Sequence, residues 1–354
     1  MAVTVAVAGA GLAGLAAAWD LWRSGTDVVV LEATRRPGGV IVTERSEGFV
    51  VEGGPDGFLA AEPDLQELAR EAGIGERLVD QMARGSTLWT GKALEPLPEG
   101  RAAELLGIEV PRVGALDRGF RSFQGGMADL VEALAAHLAP RIRAAQGVTG
   151  LAPTARGWRL SVTGGATLEA DAVILALPAW IAARLLSAAG VPGARELDCV
   201  VYQASTTLSL AYRASALPTP PHGTGFVAAP EWDGAVRACS YSSLKYPGRA
   251  PGGHVLLRAF VDPAVNDPVT AAHATLVAAL GLRGEPLWTR RFIWPRGIPR
   301  YRPEHAGRVA HVRRGLATVR PLAIAGAGFD GAGVSACVKS GRAAARQVRE
   351  RLAH

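Results

Sequence analysis

Apolar positions fall into two regimes along the chain. Near both ends they form continuous runs: Val3 to Ala8, Asp27 to Leu31 after its first residue, Ala172 to Leu177, and Leu322 to Ala325. Unbroken runs of that length predict strands buried on both faces of a parallel sheet. Helical periods lie beside them, over Leu12 to Arg23 (closed by Gly25) and from about Val334 to Arg351. The middle of the chain reads differently. Ser205 to Tyr212, Gly225 to Ala228, Val236 to Ser242 and His254 to Val261 are strand-like, Asp233-Gly234 marks a hairpin turn, and Thr270 to Leu280 is a helix. This pattern predicts an α/β protein: a discontinuous Rossmann-like domain carrying an inserted α+β domain built on an antiparallel sheet. The boundaries fall at 1–82, 119–183 and 315–354 for the first domain, and at 83–118 and 184–314 for the second.

Glycines stand where the end regimes switch from strand to helix. Gly9, Gly11 and Gly14, with Ala10, Leu12 and Ala13 between them, spell GxGxxG between a strand and a helix. Gly9 permits the tight turn, Gly11 lets a pyrophosphate reach the backbone, and Gly14 lets helix and strand pack closely. Glu32 stands eighteen residues past Gly14, followed by Ala33, where a carboxylate can accept bonds from ribose hydroxyls. Arg36, Gly38, Gly39 and Val40 then make a second turn that a bare NAD fold does not need. More than three hundred residues later Gly331 and Gly333 open the last helix, with Ala332 and Val334 beside them. That helix can aim its N-terminus at the same ligand from the other side, so the two turns read as two jaws on one FAD.

Composition narrows the setting. The 354 residues carry a net charge of +6, almost all of the base being arginine; Lys92, Lys245 and Lys339 are the only lysines. Arginine with abundant alanine reflects base composition in part, and the remainder suits an anionic small-molecule partner rather than nucleic acid. Cys199, Cys239 and Cys337 are odd in number and far apart, which implies a reduced, cytosolic protein without a disulfide framework. The seven histidines do not cluster, so no metal is expected. The apolar N-terminus lacks a preceding basic region, and Ala172 to Ala183 is broken by Pro178 and too short to span a bilayer.

The motifs in order resemble the flavin amine oxidase superfamily, and within it the protoporphyrinogen and coproporphyrinogen oxidases of heme synthesis. GGVIVTERSEGFVVEGGPDGFL resembles their FAD segment, including Gly54, Pro55, Asp56 and Gly57. FQGGMADLVEALAAHL is similar to their return into the FAD domain, GVTGL places Val148 in register with an adenine-side valine, and DAVILALPAW matches the next buried strand. ACSYSSLKYPGRAPGGHVLLRAFV and WPRGIPRYRPEH resemble segments highly characteristic of the family, the latter placing Trp294 beside the flavin and Pro299, Tyr301 and His305 at the family spacing. Tyr301 and His305 read more simply as structural residues.

The resemblance implies non-covalent FAD and oxidation of a porphyrinogen to a porphyrin, with dioxygen as acceptor. It names no side-chain nucleophile or acid–base pair, and none is evident in the sequence. The alternatives are an FAD oxidase of another electron-rich substrate, an amine or polyene, and a non-catalytic flavoprotein. Peripheral attachment to a membrane is compatible with the family.

Three departures qualify the resemblance. Only Glu99 to Phe120 stand where the family has a long helical stretch walling the substrate pocket, so the helical lid is largely absent; a homodimer or partner chain could complete the pocket. Ser86 occupies a position where some members have a substrate-facing arginine. Ala83 to Leu94 reads as strand and turn, so Arg84 would lie on the same face one pleat back and could hold a substrate carboxylate instead. Ala327 and Asp330 replace the asparagine and arginine usual in the C-terminal turn. The stretch 281–320, with ten arginines and two acids, offers a further anion-facing surface.

Overall fold

The computed structural model describes residues 4–98, 100–106, 114 and 116–353. Five parallel strands lie side by side in the order Ile142–Arg143, Asp27–Leu31, Thr4–Ala8, Ala172–Leu175, Leu322–Ile324. Val5 to Ala8 and Ala172 to Leu175 are completely buried, as strands covered on both faces must be. Helices Leu12–Arg23 and Val334–Leu352 cover one face together. They pack backbone to backbone: a Cβ at Gly341 would stand 2.1 Å from the Ala13 carbonyl oxygen. The other face is covered by helices Ala179–Ala188 and His305–Ala317 and by a small antiparallel sheet, Val148–Pro153, Trp158–Val162 and Thr167–Ala170.

The middle of the chain forms a second sheet of seven strands, in the order Trp288–Arg300, Val201–Arg213, His254–Val261, Val236–Ser240, Gly225–Ala228, Ser86–Trp89, Leu94–Leu97. It is antiparallel but for one pair: Gly225–Ala228 runs parallel to Ser86–Trp89, which comes from the earlier segment of the chain. Gly225–Ala228 and Val236–Ser240 are antiparallel neighbours, joined across 229–235 rather than by a two-residue turn at Asp233-Gly234. Trp288–Arg300 does not read as a strand in the sequence, because Pro295 and Pro299 interrupt it and its exposed edge position blurs the alternation. It lies at the sheet edge, where a missing N–H costs no ladder bond.

Side chains alternate across this sheet. Leu208, Leu210, Tyr212, Leu257 and Ala259 pack on one face with residues of helix Pro268–Leu280. Ala211, Leu256, Trp288 and Phe292 turn the other way and meet Phe49 and Val51 of the first domain. That inner face therefore looks toward the segment that follows the glycine turns. Among the described residues no helix is long and apolar enough to cross a membrane.

Candidate functional site

The two jaws share an open helix start, and glycine at the N-cap with empty space above it sets them apart from the chain's other uncapped helices. Gly11 and Gly333 are the N-caps of Leu12–Arg23 and Val334–Leu352, and neither makes a side-chain cap bond. No acid stands in either first turn. Most helices satisfy these orphan N–H groups with Ser, Thr, Asp or Asn. Nor does packing ask for glycine here: a Cβ at either position would meet nothing within 4 Å. The backbone does not ask for it either, with φ of −67° and −65°. Gly9 and Gly14 are the contrast. Gly9 has φ +99° and its Cβ would lie 2.4 Å from the Ala176 carbonyl oxygen; a Cβ at Gly14 would lie 1.9 Å from that of Gly9. Two glycines thus shape the turn, and two keep space open above a helix dipole, which fits an anionic pyrophosphate.

From Gly11 a floor of backbone runs in both directions. Toward the sheet edge, Glu32 is 7% exposed; its Oε2 accepts from the Ala10 N–H at 2.8 Å, and its Oε1 accepts from the N–H and hydroxyl of Thr34, both at 2.8 Å. The carboxylate therefore ties the GxGxxG turn to the loop after Leu31. Gly147 packs against Ala33, which brings buried Val148 to this end. Arg36 turns back on its own loop and donates to the carbonyls of Pro37, Gly39 and Ile41. It shapes the second turn.

In the other direction, Gly38 donates its N–H to the Ala10 carbonyl and Gly39 lies against Gly11. Val40 is 44% exposed, and its carbonyl oxygen would stand 1.9 Å from a Cβ at Gly54. The loop Gly53–Gly57 follows, with half-exposed Pro55 in it. Trp294 of the edge strand donates its indole N–H to the Gly53 carbonyl at 2.7 Å. Gly57 must be glycine, since a Cβ there would lie 2.1 Å from the Tyr246 hydroxyl.

At this loop the two domains meet through buried charge, which the sequence did not disclose. Lys245 Nζ contacts both oxygens of Asp56, at 3.1 and 3.0 Å. Arg249, 1% exposed, lies 3.6 Å from Glu52 and donates to the Ser122 hydroxyl at 2.6 Å. Burial pushes the Asp56 carboxyl up, but Lys245, Arg258 and Arg249 outweigh it and hold it below the usual range. Glu52 goes the other way: burial raises its pKa beyond what Arg249 and its hydrogen bonds from Thr43 and Met127 lower it. The signal was present in YPGRAPGG, a turn-rich stretch with one arginine, preceded by one of only three lysines.

The substrate-side expectations change. Gly85 has φ +78°, so the chain turns there and the strand begins at Ser86. Arg84 is therefore not one pleat back on the same face; it is exposed and donates to the Asp117 carbonyl. Ser86 does face inward, because its neighbour Thr87 lies opposite Phe226 and Trp89 packs in the helix-side core. Of the shortened lid at 99–120, residues 100–106, 114 and 116–120 are described, and they hold one short helix, Arg101–Leu105.

At the C-terminal turn Asp330 points away from the jaw. It pairs with Arg313 at 2.7 Å and accepts from the Ser340 hydroxyl, which in turn accepts the Gly326 N–H. Its charge is spent on the fold. Tyr301 and His305 serve the same turn, donating to the Ala327 carbonyl and lying 3.2 Å from the Phe329 carbonyl. Burial pushes the Cys337 thiol up to about 12, and Cys239 is also raised, so both stay protonated near neutrality and neither is an activated flavin-linking thiolate.

Two open glycine helix starts on a parallel sheet, with buried Glu32 tied to one of them, fit the class to which the family match assigns the chain, a flavin-dependent oxidoreductase that binds FAD. The chain belongs to the flavin containing amine oxidoreductase family, whose profile matches residues 12–107 and 76–349. It is 24% identical to coproporphyrinogen III oxidase of Bacillus subtilis over 455 aligned positions, covering 96% of each chain. It is 28% identical to that of Propionibacterium freudenreichii over 484, covering 97% of this chain and 90% of the relative. Both alignments exceed the 354 residues of this chain, so the relatives carry long internal stretches that it lacks. A crystal structure from Exiguobacterium sp. 255-15, provisionally assigned as a protoporphyrinogen oxidase, superposes with a TM-score of 0.84 at 23% identity, each chain fully covered. Cyclohexylamine oxidase from Brevibacterium oxydans shares the fold at a TM-score of 0.79 and 17% identity.

Proposed function

We propose that the protein oxidises a porphyrinogen, coproporphyrinogen III or protoporphyrinogen IX, to the corresponding porphyrin, with dioxygen as the final acceptor. The observation that carries this reading is coverage: near full-length similarity to coproporphyrinogen III oxidases, on a chain whose two helix N-caps are both left open. In this reading Gly11 and Gly333 present their helix N–H groups to the pyrophosphate, and Glu32, Ala33 and Val148 hold the adenosine end. Residues Gly53–Gly57 and Trp294 border the ring end.

FAD, once bound, supplies the hydride acceptor. The chain supplies a surface that orients the substrate and excludes water: the inner sheet face with Ser86, and the loop closed by Lys245. No side-chain acid or base need act on the tetrapyrrole. The domain division at 1–82, 119–183 and 315–354 against 83–118 and 184–314 follows from the same reading, with the pocket between the two sheets. A second copy of the chain would complete the wall that the relatives' additional stretches provide.

The test is porphyrin fluorescence after feeding each porphyrinogen to the purified yellow protein, with oxygen and with an artificial acceptor. Fluorescence above the buffer rate with either substrate is the expected result. A yellow protein that forms porphyrin with neither would overturn the reading. Porphyrin formed only with the artificial acceptor would remove dioxygen from it.

A further inference from the structure

Three cations and two carboxylates meet where the loop Gly53–Gly57 touches the inner sheet face. Each carboxylate is already committed. Asp56 takes both its contacts from Lys245, and Glu52 has Arg249, the Thr43 hydroxyl and the Met127 N–H. Arg258 is the third cation, and it is left over. It is 4% exposed, and among the described residues no carboxylate oxygen lies within ion-pair distance of it. Its one hydrogen bond among the described residues is a long one, Nη2 to the Thr207 hydroxyl at 3.4 Å. Its guanidinium lies 5.0 Å from the Phe260 ring, and its buried Nε has no partner among the described residues. An arginine cannot shed this charge by losing a proton.

The surroundings of Arg258 are as undersatisfied as the residue itself. Ser240 lies directly opposite it on the next strand, and the Ser240 hydroxyl is also buried without a partner. Ser209 lies opposite on the other side. This polar row faces Asp56 and Glu52, the two carboxylates whose fields reach Arg258. A buried charge without a direct partner is costly. A sheet interior that wanted only stability would place an apolar residue here, as it does at Leu256 one pleat away.

The position of the row tells what it serves. The backbone floor runs without interruption from Gly11 through Gly39 and Val40 to Gly54, and Asp56 is two residues further. Glu32 and Val148 occupy the opposite end. A dinucleotide gripped at Gly11 with its adenosine toward Glu32 sends its ring system toward Gly54 and the polar row. We propose that Arg258 is a positioning residue for charge: its uncompensated guanidinium stabilises the negative charge that FAD takes on when it is reduced. The inference rests on the flavin and not on the identity of the substrate, so it survives or fails independently of the porphyrinogen reading.

Sulfite provides the test, because it needs no substrate. It donates its sulfur lone pair to the oxidised ring and leaves the negative charge there, in the place where reduction would. Arg258→Met should keep its FAD, measured by heat release, and lose at least tenfold in sulfite affinity. Its two-electron potential should fall by about 30 mV for each tenfold. Arg258→Lys, assayed at mildly acid pH so that the ammonium keeps its proton, should stay within about threefold of wild type. Ser240→Asp leaves the arginine in place and sets a carboxylate beside it, since cross-strand neighbours have Cβ atoms about 5 Å apart. It too should lose about tenfold, although it makes the buried charge more comfortable. Unchanged sulfite affinity and potential in Arg258→Met overturn the proposal, as does an Arg258→Lys variant that falls as far as Met. If Arg258→Met will not hold FAD, Ser240→Asp decides: wild-type sulfite affinity there means that the guanidinium has a purely structural role.

Discussion

Lys245 grips Asp56 by both carboxylate oxygens, across 189 residues of sequence and across the junction of the two domains. The pair is mostly shielded, with side-chain exposures of 13% and 23%. Removing one member leaves the other charge buried. Lys245→Met should therefore cost about 3 kcal/mol of stability, read as a lower urea midpoint of the holoprotein. An unchanged midpoint would mean that water replaces the lysine at no cost.

The two buried carboxylates give opposite pH signatures. Asp56 is held below its ordinary 3.8, so its contribution is fully present above that value and is lost as pH falls through its folded pKa. Glu52 is raised above 4.5, so its contribution is fully present below 4.5 and is lost as pH rises through its folded pKa. Asp56→Asn should flatten the acid limb of the stability profile, and Glu52→Gln should remove the decline that begins above 4.5. Parallel profiles for wild type and both variants, measured by denaturation between pH 3 and 8, would contradict this.

The glycines separate into cradle and hinge by experiment. Gly11→Val adds atoms to open space, so the apoprotein should melt like wild type while its FAD content collapses. Gly14→Val meets the Gly9 carbonyl and should lower stability with or without cofactor. Equal loss of stability in both variants would show that Gly11 is also a packing residue.

Glu32→Ala should do two things. It strips acceptors from the Ala10 and Thr34 N–H groups, costing about 1–3 kcal/mol of apoprotein stability. It should also weaken FAD by roughly ten- to a hundredfold, the loss of one charged hydrogen bond. Calorimetry of the apoprotein with FAD reads both; unchanged FAD affinity would confine Glu32 to the fold.

Arg84→Ala should leave the KM for a porphyrinogen within about twofold of wild type, because that guanidinium already serves the Asp117 carbonyl. Ser86→Arg should lower the KM, since position 86 faces inward. A tenfold rise in KM for Arg84→Ala would return that residue to the pocket.

What the sequence disclosed follows from what local pattern can encode. Strand Asp27–Leu31 and helix Leu12–Arg23 were legible to the residue, because an apolar run and a helical period each need only their own neighbours. Gly11 and Gly14 were legible as a motif, but the sequence could not say that one faces space and the other a carbonyl. Trp288–Arg300 was illegible because an edge strand exposed along much of its length has no reason to alternate cleanly. The partnership of Glu52 with Arg249 was illegible for a different reason: ion pairs between distant segments leave no periodic trace. Arg84 misled because the alternation of a strand was carried back past Gly85, where a left-handed backbone ends it.

Gly341 touches the backbone of Ala13, and that contact sets a timetable for synthesis. One jaw is encoded more than three hundred residues before the other. Until the later residues are made the apolar face of Leu12–Arg23 has no partner helix, and strand Ala172–Leu175 lacks the neighbour that Leu322–Ile324 will become. If both helix starts hold the flavin, as proposed, it cannot act as a template for the emerging chain before the second is made. Cofactor capture in this reading waits for the second jaw, and a message truncated before Val334 should yield a colourless protein.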